Sequence, residues 1–272
     1  KMLALHPEVA AFLKELEPHL QQECALPEVR RSGYCPQGIL PWSWASGAVP
    51  VPAPDYRVRS EVSQPMLFIA AIAHALAARL FPEDRPEIVA YSGHSQGIVA
   101  AIFAAQGRAR LAKRAAVVAR YLMWQGIRMQ NSCGWFAPAD FDGMALSPML
   151  AITGPLRDEI LSVLKQMPEA KKPHISLRNA PDRHVLSGNP QDLKLFLQMF
   201  REKFGPESKG RKIWFDAEPL AVSGAYHCPL MAQGRQDIDG DLAHLDLDFA
   251  AWPVLRPVYS CHDGSRLDRD PH

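Results

Sequence analysis

Glycine frames a serine in Gly93-His94-Ser95-Gln96-Gly97, between a β-branched run at residues 88–91 and an Ala/Val-rich stretch that follows. Such a pentapeptide suits a tight strand-to-helix turn. Bulk beside the serine is excluded there, and its hydroxyl projects beside the positive end of the next helix. The backbone N–H of Gln96 is then placed to donate to an oxyanion. That is equipment for covalent acyl chemistry, and it needs a base, because a serine hydroxyl is protonated at neutral pH. Ten histidines are available. His94 adjoins the serine and is expected to shape the pocket. His74 lies on an apolar helix face and reads as a packed core residue. His227 sits in a loop of small residues, Ser223-Gly224-Ala225-Tyr226-His227-Cys228-Pro229, as loop-borne catalytic groups often do. Periodicity alone does not choose among them.

The elements that must position these groups follow from hydrophobic spacing. Residues 6–22 carry Val9, Phe12, Leu13, Leu16 and Leu20 on one helical face. A Pro/Gly/Trp-rich loop spans 24–56, and a long apolar helix is expected over 63–80, with Pro65 in its first turn. Residues 88–91 read as a buried strand, and 97–105 and 112–129 as helices. Beyond 131 the texture changes. Strands are expected at 144–152, 174–177, 184–187 and 212–215, with helices at 156–166 and 190–204. This β-α-β-β-α-β order is that of a ferredoxin-like unit. The expectation is an α/β protein, with an α/β-hydrolase-like catalytic subdomain over 1–142 and 214–272 and a ferredoxin-like subdomain inserted over 143–213.

Composition narrows the function classes. The apolar fraction is 47%, the charged fraction 22% and the net charge +1, so neither nucleic acid nor an anionic membrane is an expected partner. The basic cluster at 108–114 reads as a solvated helix face. Five scattered cysteines without a C-x-x-C pair speak against a disulfide framework or zinc site and for a reducing, cytoplasmic setting. No apolar run reaches the roughly 20 residues of a membrane span. No metal or bound cofactor is expected.

With these residues in view, the chain resembles the acyltransferase family of fatty acid and polyketide synthases. Gln64-Pro65-Met66-Leu67 resembles its Q-P-A-L helix start, and Gly93 to Gly97 its G-H-S-x-G elbow. Asn179-Ala180-Pro181 with Val185-Leu186-Ser187-Gly188 resembles its N-A-P and V-x-S-G segments. Tyr226-His227-Cys228-Pro229-Leu230-Met231 resembles the segment holding its catalytic histidine. Gln96, the Tyr34-to-Trp44 stretch and Ser147 to Ile152 are most similar to the starter-unit (acetyl) acyltransferase domain of microbial type I fatty acid synthase. Starter-unit carrier-protein transacylases come next.

The resemblance implies Ser95 as nucleophile and His227 as base, with a backbone carbonyl near Ser260-Cys261 orienting the histidine. Gln64, His94, Gln125 and Asn179 are implied around the substrate. The family's G-Q-G loop, a second oxyanion donor, is not found ahead of Leu3, so the donor expected from these residues is the Gln96 amide. Extender-unit relatives place an arginine where Gln125-Gly126-Ile127-Arg128-Met129-Gln130 has Gln125. A neutral amide leaves a malonyl carboxylate unpaired. The implied substrate is therefore a monocarboxylic acyl-CoA, and the implied partner an acyl carrier protein bearing a phosphopantetheine thiol. Other domains of a multienzyme synthase are possible neighbours. A malonyl or other extender-unit transacylase, a serine thioesterase or other hydrolase, and a non-catalytic binding domain stay open as alternatives.

Overall fold

The computed structural model describes residues 6–133, 140–141, 144–145, 147–245 and 252–267. The two chain ends and the boundary expected at residue 142 lie outside the described residues. The elements run α1 (Pro7–Cys24), α2 (Pro27–Arg31), α3 (Pro41–Ser46), α4 (Pro54–Arg57), α5 (Ser60–Ala77), β1 (Tyr91–Gly93), α6 (Gly97–Ala105) and α7 (Leu111–Cys133). There follow β2 (Asp140–Phe141), β3 (Met144–Ala145), β4 (Met149–Thr153), α8 (Arg157–Leu164), β5 (His174–Ala180), β6 (Arg183–Ser187), α9 (Pro190–Phe204), β7 (Asp216–Pro219), α10 (Ala232–Leu245) and β8 (Val258–Ser260). The fold is α/β. Two compact units are present, one of Lys1–Ala53, Glu61–Gly126 and Ile238–His272, the other of Pro54–Ser60 and Ile127–Asp237.

In the first unit, α1 buries Val9, Phe12, Leu13, Leu16 and Leu20, the face its spacing requires. The expected loop at 24–56 contains short helices, each opening on a proline whose missing N–H is harmless in a first turn. Buried Glu17 of α1 accepts the Ser43 N–H at 2.8 Å and its hydroxyl, which ties α3 to α1. Helix α5 starts at Ser60, earlier than expected, so Pro65 lies inside it. The strand expected at 88–91 forms at Tyr91–Gly93 instead, where β8 supplies a parallel partner in the register Tyr91↔Val258 and Gly93↔Ser260. Ahead of that ladder Val89 is 82% exposed.

In the basic cluster after α6, Arg110 and Lys113 are exposed as expected of a solvated face, and Arg114 departs from it. Arg114 is buried, and its guanidinium donates to the carbonyls of Phe103, Gly107 and Ala109 and to the Gln106 side chain at 2.8 Å. These carbonyls stand at the C-terminal end of α6, where helix geometry leaves acceptors without intrahelical donors. The guanidinium also lies over the rings of Phe103 and Trp252. A cation can be buried at this point because a helix end presents it with acceptors.

In the second unit, an antiparallel sheet has the order β5-β6-β4-β7. Helices α8 and α9 pack on it through Ile160, Val163, Leu193, Phe196 and Phe200, which join Leu150, Ile152 and Leu186 of the strands. Helix α9 starts as expected, with Asn189 as N-cap accepting from the Gln191 N–H and Pro190 following it. The strand expected at 212–215 is displaced to Asp216–Pro219. Gly154, at φ 111°, explains why: a Cβ there would lie 2.3 Å from the Trp214 carbonyl. Main chain crosses main chain at that point, Ile213 and Phe215 turn into the core, and pairing with β4 begins only at Asp216↔Thr153. The strand expected at 144–152 is likewise interrupted, with ladder pairing to β6 over Met149–Thr153.

Candidate active site

The elbow is built by β1 and α6. Ser95 has φ 52°, a left-handed conformation that costs a non-glycine residue free energy and tends to persist where function requires it. Gly93 accounts for the tightness of the turn: a Cβ on it would meet the Gly97 carbonyl oxygen at 2.2 Å and the Ile98 nitrogen at 2.5 Å. Gly97 is not constrained in this way, since a Cβ there meets nothing within 4 Å. The turn is wound by short-range bonds from Gly97 N–H to the His94 carbonyl (2.9 Å), Ile98 N–H to Ser95 and Val99 N–H to Gln96. Ser95 and His94 are both exposed.

Gln96 is the N-cap of α6, so its main-chain N–H stands at the positive helix end. Its side chain turns away to donate through Nε2 to the Gln64 carbonyl of α5. Two residues read separately from the sequence are thereby brought together, although Gln64 acts through its backbone. The Gln64 side chain itself is buried. Gln125 lies half-buried on α7. One turn earlier, Arg120 is committed to Glu23, a buried carboxylate that also accepts the Trp124 indole N–H at 2.7 Å.

His227 belongs to the second unit, and it also holds a left-handed conformation, φ 58°, with its side chain exposed. The loop beneath it rests on a buried polar network that sequence reading did not identify. Gln130 Oε1 accepts from the Ser223 hydroxyl at 2.7 Å and the Ser60 hydroxyl at 3.1 Å. The Ser60 N–H donates to Ser223 Oγ at 2.9 Å, and the Tyr226 phenol donates to Ser60 Oγ at 2.6 Å. Gln130 Nε2 donates to the Ser223 carbonyl. Both serine protons are thus spent on one amide oxygen, whose two lone pairs accommodate them. Gly224 leaves room for the phenol, since a Cβ there would lie 3.0 Å from the Tyr226 ring. Ser60 carries no motif and lies far from the loop in sequence. Gln130 ended the Gln125-to-Gln130 run, which could have drawn attention to it.

Asn179 sits in edge strand β5 at a register shift between Arg178 and Ala180, exposed and outside the ladder. That is bulge geometry, which re-aims a side chain. The Ser260 carbonyl, in the segment expected to orient a histidine, accepts the Gly264 N–H at 3.0 Å. Among the described residues no group of His, Cys, Asp and Glu could hold a metal ion, and no helix is long and apolar enough to cross a membrane.

The chain is similar to known proteins in sequence and in fold. The fatty acid synthase subunit beta of Schizosaccharomyces pombe is 32% identical over 258 residues, covering 85% of this chain and 12% of that protein. The fatty acid synthase beta subunit aflB of Emericella nidulans is 26% identical, covering 84% of this chain and 12% of that protein. The chain therefore spans about an eighth of the length of these relatives. In fold it is similar to a malonyl-transacylase solved in complex with a type II polyketide synthase acyl-carrier protein. That match has a TM-score of 0.66 and 20% identity over 97% of this chain and 69% of the other. A malonyl CoA-acyl carrier protein transacylase from Coxiella burnetii gives a TM-score of 0.64 with 20% identity over 96% and 66%. The family described as starter unit:ACP transacylase in aflatoxin biosynthesis matches residues 4–215, and the chain belongs to that family.

Proposed function

We propose that this chain transfers a monocarboxylic starter acyl group from acyl-CoA to the phosphopantetheine thiol of an acyl carrier protein, through an ester on Ser95. The observation that carries this reading is the left-handed Ser95 at the head of α6, in a turn that only glycine at position 93 permits. Family membership supports the same reading. In the proposed cycle His227 takes the Ser95 proton as Oγ attacks the thioester carbonyl, and the Gln96 N–H stabilises the tetrahedral oxyanion. The intermediate collapses, coenzyme A leaves as its thiol with the proton returned by His227, and the acyl group stays on Ser95. The carrier thiol then attacks the ester, with His227 again as base, and Ser95 is regenerated.

Three residues support the choice of acyl group. Gln125 offers an amide where a free carboxylate would need a guanidinium. Arg120 is engaged by Glu23. Arg128, three residues on along the same helix, only partly shares the face of Gln125. His94, Gln64 and Asn179 complete the proposed surroundings, Gln64 by fixing the Gln96 side chain. In fold terms we read an α/β-hydrolase-like catalytic subdomain over 1–142 and 214–272 with an inserted ferredoxin-like subdomain over 143–213. The sheet order β5-β6-β4-β7, with α8 and α9 on it, supports the second half of this and carries it through Pro219. The setting would be cytoplasmic, beside the other domains of a synthase.

The test is intact mass measurement after brief exposure to acetyl-, hexanoyl-, longer acyl- and malonyl-CoA, for wild type and Ser95→Ala. A monocarboxylic adduct absent from the variant is expected. Dominant malonyl loading would transfer the reading to an extender-unit enzyme, and rapid CoA release without adduct would transfer it to a hydrolase.

A further inference from the structure

His227 holds a left-handed backbone, φ 58°, which a non-glycine residue keeps only where its surroundings impose it. Here the last two turns of α7 hold the chain on both sides of the histidine. Before it, Gln130 engages Ser223 through both amide atoms: Oε1 accepts the hydroxyl at 2.7 Å, and Nε2 donates to the carbonyl at 3.3 Å. After it, Ser132 Oγ donates to the Leu230 carbonyl at 2.6 Å. Residues two apart on an α-helix lie about 200° from one another around its axis, so the two tethers leave α7 on roughly opposite sides. Farther along, α10 meets the same turns main chain to main chain, since a Cβ on Gly234 would lie 2.8 Å from the Arg128 carbonyl oxygen. Between the tethers the loop closes on itself. The Cys228 thiol donates to the carbonyl of fully buried Ala225 at 3.0 Å, across Tyr226 and His227.

We propose that Ser132 is a positioning residue for His227. Its hydroxyl fixes the far side of the loop, as the Gln130 amide fixes the near side, and the two together hold the imidazole in the orientation that proton transfer needs. This rests on the reading of His227 as the base for Ser95. Ser132 acts through the loop and not on substrate. Its one bond is made to Leu230, which is 42% exposed, so losing it removes little stability. Rate is far more sensitive, because misplacing a reacting group by an ångström costs up to about 10²-fold.

The experiment compares wild type with Ser132→Ala and with Ser132→Thr, which keeps a hydroxyl. Single-turnover loading is followed over a range of acetyl- and hexanoyl-CoA concentrations. Labelling by a fluorophosphonate reports any base-activated serine, and amide hydrogen exchange reports the loop over 224–231. In Ser132→Ala the maximal loading rate and the labelling rate should both fall about tenfold or more, while the half-saturating acyl-CoA concentration changes less than about twofold. Exchange over 224–231 should quicken, the urea midpoint should stay near that of wild type, and Ser132→Thr should recover the rates. A Ser132→Ala protein that is loaded and labelled as fast as wild type overturns the proposal. So does a rate loss that threonine leaves unrepaired, or one that comes with a matching fall in the urea midpoint. If wild type is labelled by the fluorophosphonate but loaded by no acyl-CoA, the transferase reading fails, and the labelling rates of the variants still decide this one. Wild type inert to both reagents overturns the two together.

Discussion

At Gly93 a methyl group has nowhere to go, because the backbone of Gly97 and Ile98 already occupies its place. Gly93→Ala should therefore destabilise the protein by about 1–3 kcal/mol and remove acyl loading with it. Gly97→Ala, with open space around the added carbon, should leave the melting temperature unchanged or raise stability by up to about 1 kcal/mol. Paired thermal melts of the two variants check both statements, although the pentapeptide treats the glycines alike. Gln125 is the other residue on which a single atom set decides an outcome. Gln125→Arg supplies a charge-assisted partner for a carboxylate, and it should raise malonyl loading relative to acetyl by about tenfold or more. Competition between the two CoA esters, read by intact mass, measures the ratio.

The elements explain what holds those residues still. Helix α6 is capped at its far end by the Arg114 guanidinium, and its near end is wound out of the elbow by bonds at 2.9–3.1 Å. The histidine loop has little secondary structure, and it is secured by the amide of Gln130. Gln130→Ala removes the one oxygen that accepts both the Ser60 and Ser223 hydroxyl protons, of which only one can re-pair on the other serine, and it also strips the donor from the Ser223 carbonyl in a buried site. Each such loss costs about 1–3 kcal/mol, so a clear fall in the urea midpoint is expected. Tyr226→Phe removes one donor whose acceptor, Ser60 Oγ, keeps other partners, and its midpoint should fall less than that of Gln130→Ala. If the two variants fall equally, the amide does not organise the loop.

For the molecule as a whole, pH reports one burial directly. Tyr91 donates to the Leu80 carbonyl at 2.6 Å, and burial, reinforced by the nearby Glu83 carboxylate, pushes its phenol up from 10.0 to about 12. The folded state therefore keeps a proton that the unfolded chain releases. This stabilisation is complete below pH 10.0 and is lost as pH rises towards about 12. Tyr91→Phe should flatten that part of the stability curve, seen as a narrowing gap between the two proteins' denaturation midpoints across the alkaline range.

The sequence by itself determined the α/β class, the helices expected at 6–22, 97–105 and 190–204 and the serine elbow, because periodicity, proline and glycine act through neighbours a few residues apart. Tertiary structure alone decided where β1 and β7 begin, since a ladder starts where a partner strand is available: β8 for Tyr91, and β4 beyond the Gly154 crossing for Asp216. It alone turned Arg114 inward, because the carbonyls that receive the guanidinium converge only once α6 has ended. It also gathered Ser60, Gln130, Ser223 and Tyr226 under the histidine loop, since hydrogen bonds between residues up to 166 positions apart leave no period in the chain for a reader to find.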